Sequence, residues 1–124
     1  DVIIGAYGYN SDIGKAYIYF GGASMNNISD VSMFGSAITD FFGASVSNAG
    51  DVNDDGYSDV IIGSYGYSSF TGRTYIFYGG AIMNSIPDVT MTGEAANSAF
   101  GYSVSEAGDV NGDGFADAYV GAYG

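Results

Sequence analysis

The sequence predicts an all-β chain made of four-stranded antiparallel sheets, arranged as β-propeller blades. Three observations carry that expectation. The chain repeats itself with a period of 58 residues: Asp1 aligns with Asp59, and the match runs without a gap to Ser58 against Ala116. Roughly 35 of the aligned pairs are identical, which marks a close internal duplication. The composition holds 21 Gly, 12 Tyr and 8 Phe against one Pro and no Trp, a balance that favours strands and tight turns over helices. Each period also divides into four short segments with strand character, and four strands per repeat of this length is the pattern of a propeller blade.

In chain order, Val2–Gly5, Ala16–Phe20 and Val31–Phe34 read as strands two to four of a first blade. The central copy is complete. Ala44–Asn48 sets Val46 among small polar residues, and a glycine-aspartate loop follows from Gly50 to Ser58. Val60–Ser64 is a continuous apolar run of the kind a strand buried on both faces shows. Thr74–Tyr78 is aromatic and β-branched and is closed by Gly79-Gly80, and Val89–Thr92 places Val89 and Met91 on one face. Tyr102–Glu106 and Ala118–Ala122 open a further copy. No stretch carries apolar residues at helical spacing between credible caps, so no helix is expected. The division this implies is a partial blade over 1–41 (strands two to four), a complete blade over 42–99 and a partial blade over 100–124 (strands one and two). About two blades cannot close a ring, so the expectation is a larger propeller or assembly. It would be completed by flanking repeats of the same protein or by a homo-oligomer.

Charge narrows the functions. Two basic residues stand against 14 acidic ones, with no His, for a net charge of −12. Phosphate binding needs Lys and Arg, so nucleic acid is excluded as a partner. An anionic membrane surface is disfavoured for the same reason, and no apolar run is long enough to insert. The lack of Cys and His removes disulfides, thiolate zinc sites and Ser-His-Asp chemistry. The carboxylates not assigned to a metal site below are Asp12, Asp30, Asp40, Asp54, Asp88, Glu94 and Glu106. Asp30 and Asp88 are equivalent and precede a strand, which fits a turn role. No pair stands at the separation glycoside hydrolysis needs, so no catalytic residue and no organic cofactor is assigned. The aromatic strands are expected in the inter-blade core rather than as a carbohydrate platform. Lys15 and Arg73 are expected as solvated tips. Asn27-Ile28-Ser29 has the form of an N-glycosylation acceptor.

The spacing that carries chemistry is Asp51-Val52-Asn53-Asp54-Asp55-Gly56-Tyr57-Ser58-Asp59, repeated as Asp109-Val110-Asn111-Gly112-Asp113-Gly114-Phe115-Ala116-Asp117. Oxygen side chains fall at positions 1, 3, 5 and 9, with glycine at 6. A hard cation takes six to eight oxygens, and Ca2+ tolerates irregular geometry. The expected ligands of one site are Asp51, Asn53, Asp55 and Asp59 with the Tyr57 carbonyl. Those of the other are Asp109, Asn111, Asp113 and Asp117 with the Phe115 carbonyl. Two Ca2+ sites per chain follow. Asp54 faces Gly112 in the other copy and is expected to point to solvent, and Asp1 is expected as the last ligand of a further site. An EF-hand is excluded, since position 12 is Ile62 or Val120 where that loop needs Glu. Three carboxylates within nine residues repel one another without a cation, which weighs against a plain Asx-rich turn.

Phe42-Gly43 precedes the first acidic loop and Gly63-Ser64-Tyr65 follows it. Phe100-Gly101 and Gly121-Ala122-Tyr123 flank the second, and Gly5-Ala6-Tyr7 stands in the first copy. This arrangement resembles the FG-GAP repeat of integrin α-chain-type β-propellers over nearly the whole chain. Tyr7, Tyr65 and Tyr123 occupy the place of the family's proline. The resemblance implies that each Ca2+ loop joins the first two strands of a blade on one rim, and that Phe42 and Phe100 pack between blades. It implies an extracellular or cell-surface, non-enzymatic module for adhesion, protein binding or scaffolding, with an extracellular protein as ligand. Two alternatives stand beside it: a structural subunit of an extracellular filament or sheath built head to tail, and a propeller segment attached to a hydrolase.

Overall fold

A computed structural model describes residues 1–124. Nine strands form three antiparallel sheets: β1 (Val2–Ala6), β2 (Lys15–Tyr19), β3 (Val31–Phe34), β4 (Ser45–Gly50), β5 (Asp59–Ser64), β6 (Arg73–Phe77), β7 (Val89–Thr92), β8 (Ser103–Gly108) and β9 (Asp117–Gly121). The sheets are ordered β1-β2-β3, β4-β5-β6-β7 and β8-β9, each a meander of sequential neighbours. All nine expected strands are present, with ends moved by a residue or two. Register is kept across the duplication: Ile62 pairs with Tyr75 as Ile4 pairs with Tyr17. A bulge between Asn48 and Gly50 recurs between Glu106 and Gly108, where the chain leaves the inner strand for the acidic loop.

The core lies between the sheets. Successive side chains of a strand point to opposite faces, so β5 serves two cores at once. Ile62 packs with Ala16, Ile18, Val31 and Met33 of the first sheet and with Phe42, Tyr75 and Phe77 of its own. Ile61 and Ile76 face the other way and pack with Ala49 and with Val104 of the third sheet. A strand that must bury both faces has to be apolar at every position, which is why Val60–Ser64 shows no alternation. The aromatic strand belongs to this core: the Phe42 ring lies 5.4 Å from Tyr75 and 6.4 Å from Phe77.

Neighbouring sheets are joined by a backbone seam. Gly14 and Phe42 form a parallel bridge, and Gly72 and Phe100 repeat it. A Cβ on Gly63 would lie 1.9 Å from the Gly101 carbonyl oxygen, and one on Gly5 would lie 1.9 Å from that of Gly43. The paired glycines flanking each acidic loop are therefore a packing requirement, because only bare backbone fits where two sheets meet.

The expectation of no helix is corrected at two places. Tyr9–Asp12 and Tyr67–Phe70 are single helical turns, and both are left-handed. Asn10, Ser11 and Asp12 have φ of 48°, 58° and 63°, and Ser68, Ser69 and Phe70 have 48°, 59° and 59°. Each such residue costs about 1–2 kcal/mol of backbone strain. The seam offsets that cost. The Ser11, Asp12 and Ile13 carbonyls accept the Thr39, Phe41 and Phe42 amides, and those of Ser69, Phe70 and Thr71 accept the Asn97, Ala99 and Phe100 amides. Periodicity could not reveal these turns, since their backbone is imposed by the next repeat rather than by an amphipathic pattern.

Lys15 and Arg73 are not the solvated tips expected. The Lys15 ammonium lies 4.2 Å from the Tyr17 ring centre and 4.8 Å from that of Phe34. The Arg73 guanidinium lies 3.5 Å from the Tyr67 ring centre and donates to the Thr92 hydroxyl at 3.0 Å. Cation–π attraction and a weakly hydrated guanidinium favour these placements over bulk water.

Gly63→Ala is expected to destabilise the chain by about 3 kcal/mol or more in urea unfolding, because the new methyl meets backbone that cannot move aside. Thr74→Ala should stay within about 1 kcal/mol of the parent. The Thr74 hydroxyl is buried without a hydrogen-bond partner, and the first repeat carries Ala16 at that position.

Candidate metal centre

The bulge at the end of β4 turns the chain out of the sheet, and β5 begins at Asp59, the ninth residue counted from Asp51. Between them the loop is a chain of Asx turns. The Asp51 carboxylate accepts the Asp55 amide at 3.0 Å and the Gly56 amide at 2.7 Å. Asn53 Oδ1 accepts the Asp55 amide at 3.2 Å, and Asp55 Oδ1 accepts the Tyr57 amide at 2.9 Å. Asn53 Nδ2 donates to Asp55 Oδ2 at 2.9 Å. The second loop repeats this network. Asp109 accepts from Gly112 at 2.7 Å, Asp113 at 3.1 Å and Gly114 at 2.9 Å, and Asp113 accepts from Phe115 at 3.0 Å. The Gly114 amide, with those of Gly112 and Asp113, holds the exposed Asp109 carboxyl below the usual carboxylate range, against a smaller effect of desolvation.

Position 9 differs from the rest. Asp59 is fully buried, and its two oxygens accept from two separate loops: Val52 N–H at 2.8 Å and Gly79 N–H at 2.8 Å. It ties the start of the acidic loop, the first residue of β5 and the turn after β6 into one knot. Asp117 closes its own loop on Val110 at 2.8 Å, and Asp1 accepts from Gly21 at 2.7 Å. Burial pushes the Asp59 carboxyl up, the Gly79 and Val52 amides pull it down, and the charges of Asp55 and Asp51 push it up again.

Asp54 is exposed with φ of 58°, where the second loop has Gly112 at 77°. Position 4 thus demands a left-handed residue, which explains the Asp-to-Gly exchange between copies. The Tyr57 and Phe115 side chains lie exposed on the loop surface. Asp30 and Asp88 close their turns on the Phe20 and Tyr78 amides, each at 2.7 Å, as their placement before a strand implied.

The ten expected ligand residues therefore lie in two equivalent loops at one rim. Their carboxylates are spread along the loop and bonded to its own amides rather than gathered at one point. In chemistry the donor set fits a hard divalent cation. It is all oxygen, and each carboxylate has lone pairs beyond those its amides use. Asp51 and Asp55 act electrostatically on buried Asp59, so a positive charge is what the group lacks. The chain's two basic side chains cannot supply it, since they sit where β2 and β6 begin, and Arg73 pairs with Ser64 at the far end of β5.

Two features of the site escape sequence reasoning. The latch from Asp59 to Gly79 spans 20 residues; the only hint is that Asp1 and Gly21 keep the same separation. Asn48 Nδ2 donates to Glu106 Oε2 at 2.7 Å, joining equivalent positions of successive repeats that differ in identity. Asp40, one of the unassigned acids, is buried and accepts from Ser36 and Ala37, so it is a structural cap.

Comparison with known proteins agrees with this geometry. Residues 42–77, from the Phe-Gly pair through the acidic loop to the end of β6, match the FG-GAP repeat. The chain is 32% identical over 108 residues to integrin alpha-V of Gallus gallus, covering 82% of the chain and 10% of the relative. It is 35% identical over 95 residues to integrin alpha-3 of Mus musculus (72% and 8%), and 34% identical over 79 residues to integrin alpha-5 of Xenopus laevis (57% and 8%). The chain spans about a tenth or less of the length of these relatives. The three sheets are β-propeller blades and parts of blades. They are built from FG-GAP repeats of the integrin α type.

Asp59→Asn is expected to cost about 2 kcal/mol or more, since an amide can accept from only one of the two loops and leaves the other amide facing a donor. Asp54→Gly should change stability by less than about 1 kcal/mol, because the backbone there already has the conformation glycine favours. Urea titration of both variants checks the contrast.

Proposed function

We propose that this chain is a calcium-stabilised, non-enzymatic FG-GAP propeller module of an extracellular or cell-surface protein, serving adhesion, protein binding or scaffolding. The observation that carries the proposal is the duplicated nine-residue acidic loop, closed both times by its ninth residue and set in a repeat of the integrin α type. In this reading Asp51, Asn53, Asp55 and Asp59, with the Tyr57 carbonyl, hold one Ca2+. Asp109, Asn111, Asp113 and Asp117, with the Phe115 carbonyl, hold another. The role of the ion is to draw the carboxylates of each loop onto one point and neutralise them, and two filled sites reduce the negative charge by four. The division into 1–41, 42–99 and 100–124 belongs to the same proposal, with flanking repeats completing the ring.

A surface for a protein ligand is available at the other rim. Beyond the end of β5, Phe41 and Tyr65 stack at 4.9 Å and 2°, Tyr65 meets Tyr102 at 5.4 Å, and Tyr102 meets Tyr123 at 4.6 Å. Tyr7, 6.3 Å from Phe41 at the other end of the row, is exposed, as are Tyr102 and Tyr123. Exposed aromatic clusters mark protein-binding surfaces more often than plain surface. No helix is long and apolar enough to cross a membrane.

A second reading, head-to-tail assembly of copies into a filament, is favoured by apolar residues exposed on the outer strands: Val2 and Ile4 on β1 and Tyr119 on β9. Sedimentation velocity at rising concentration separates it from a module that works within a longer array.

Thermal unfolding with millimolar Ca2+ and with a chelator tests the calcium proposal. At a concentration of about 100 Kd, bound ion adds roughly 2.7 kcal/mol per site, which raises Tm by about 5 °C or more. The variant Asp51→Ala/Asp109→Ala should lose that rise. Equal melting points for the parent chain in both buffers would contradict the proposal.

A further inference from the structure

We propose that the two acidic loops are coupled, with Glu106 and the second loop acting as positioning elements for the first, so that filling the second loop raises the cation affinity of the first. The inference rests on the calcium reading above, and goes beyond it by giving the sites a physical link.

The link crosses the seam between the second and third sheets. The Asp51 carbonyl accepts the Ala116 amide at 3.0 Å. Asp51 opens the first loop, and Ala116 directly precedes Asp117, which closes the second. Glu106 receives the Asn48 side chain at 2.7 Å, three residues before Asp51. Asn48 in turn accepts the Gly50 amide through Oδ1 at 3.0 Å, so Glu106 braces the bulge from which the first loop departs. Val52, whose amide Asp59 holds, packs against the core that Val104, Ala118 and Val120 complete from the third sheet.

Asp51, Val52 and Asn53 are partly covered. The first loop leans on the second through the Ala116 amide. Ala116 can hold Asp51 in place only when the second loop is itself ordered. An ion that orders the second loop therefore lowers the cost of ordering the first, which is positive coupling, and linkage makes the effect mutual.

Tyr57 provides a site-selective readout. It lies in the first loop where the second has Phe115, so its excitation sensitises Tb3+ luminescence from the first loop, and Tyr57→Phe removes that signal. Titrate Tb3+ into the parent chain, Asp113→Ala, Glu106→Ala and Glu106→Gln, with Ca2+ stoichiometry from calorimetry. Asp113→Ala is expected to weaken Tb3+ at the first loop by about fivefold or more, the lower end of ordinary coupling. Glu106→Ala should weaken it in the same direction. Glu106 is exposed, so this change leaves both cores intact. Glu106→Gln keeps an acceptor for Asn48 and should restore the parent affinity, which separates positioning from loss of charge. Two bound Ca2+ in the parent with first-loop affinity unchanged in Asp113→Ala would overturn the coupling and leave the calcium reading standing. Glu106→Gln falling as far as Glu106→Ala would overturn the positioning role. A parent chain that binds neither Tb3+ nor Ca2+ would overturn both readings.

Discussion

The close approach of bare backbone between successive sheets governs this molecule. Where Gly63 meets Gly101, and Gly5 meets Gly43, there is no room for a side chain. Sheets that pack this closely bury both faces of their central strand, and that demand dictates the apolar run in β5. The same seam supplies the amides that hold three successive non-glycine residues left-handed in each β1–β2 and β5–β6 connection. Local strain and inter-sheet bonding are one feature seen from two sides. Neither would persist without the other.

The seam also explains how a rim of carboxylates is held. Each acidic loop leaves its inner strand at a bulge and is closed by its ninth residue, and in the first loop the Asp59 oxygens accept amides from two separate segments. Burying that carboxylate beside two others is unfavourable in isolation. In the proposed reading an oxygen-seeking cation is the partner that reverses the sign, and the surrounding sheets hold the two ends of the loop in place. Rigid blades with a charged rim on one side and an aromatic row on the other form a scaffold whose two ends differ in chemistry. That asymmetry suits a module that is stabilised at one rim and engages a partner at the other.

Much of this is legible in the sequence because the repeat is close. Strand existence, the 58-residue period and the loop pattern follow from pairs such as Asp51/Asp109 that recur unchanged, and the place of Phe42 in the core is what the family resemblance implies. What is not legible depends on contacts between repeats. Ser68, Ser69 and Phe70 carry no mark of a left-handed turn, since glycine or asparagine would be the local choice and the next repeat overrides it. Lys15 and Arg73 look like solvated tips until β2 and β6 bring them over aromatic rings. The pairing of Asn48 with Glu106 joins equivalent positions of unlike identity, so comparing the copies hides it. Local pattern fixes which segments are strands; the seam decides what their ends do.

The most direct test of the account is an anomalous difference map from crystals grown in calcium. One strong peak is expected inside the loop bounded by Asp51 and Asp59 and a second inside that bounded by Asp109 and Asp117, each ringed by side-chain oxygens. A map that is flat at both loops, with the carboxylates still bonded only to their own amides, would contradict it.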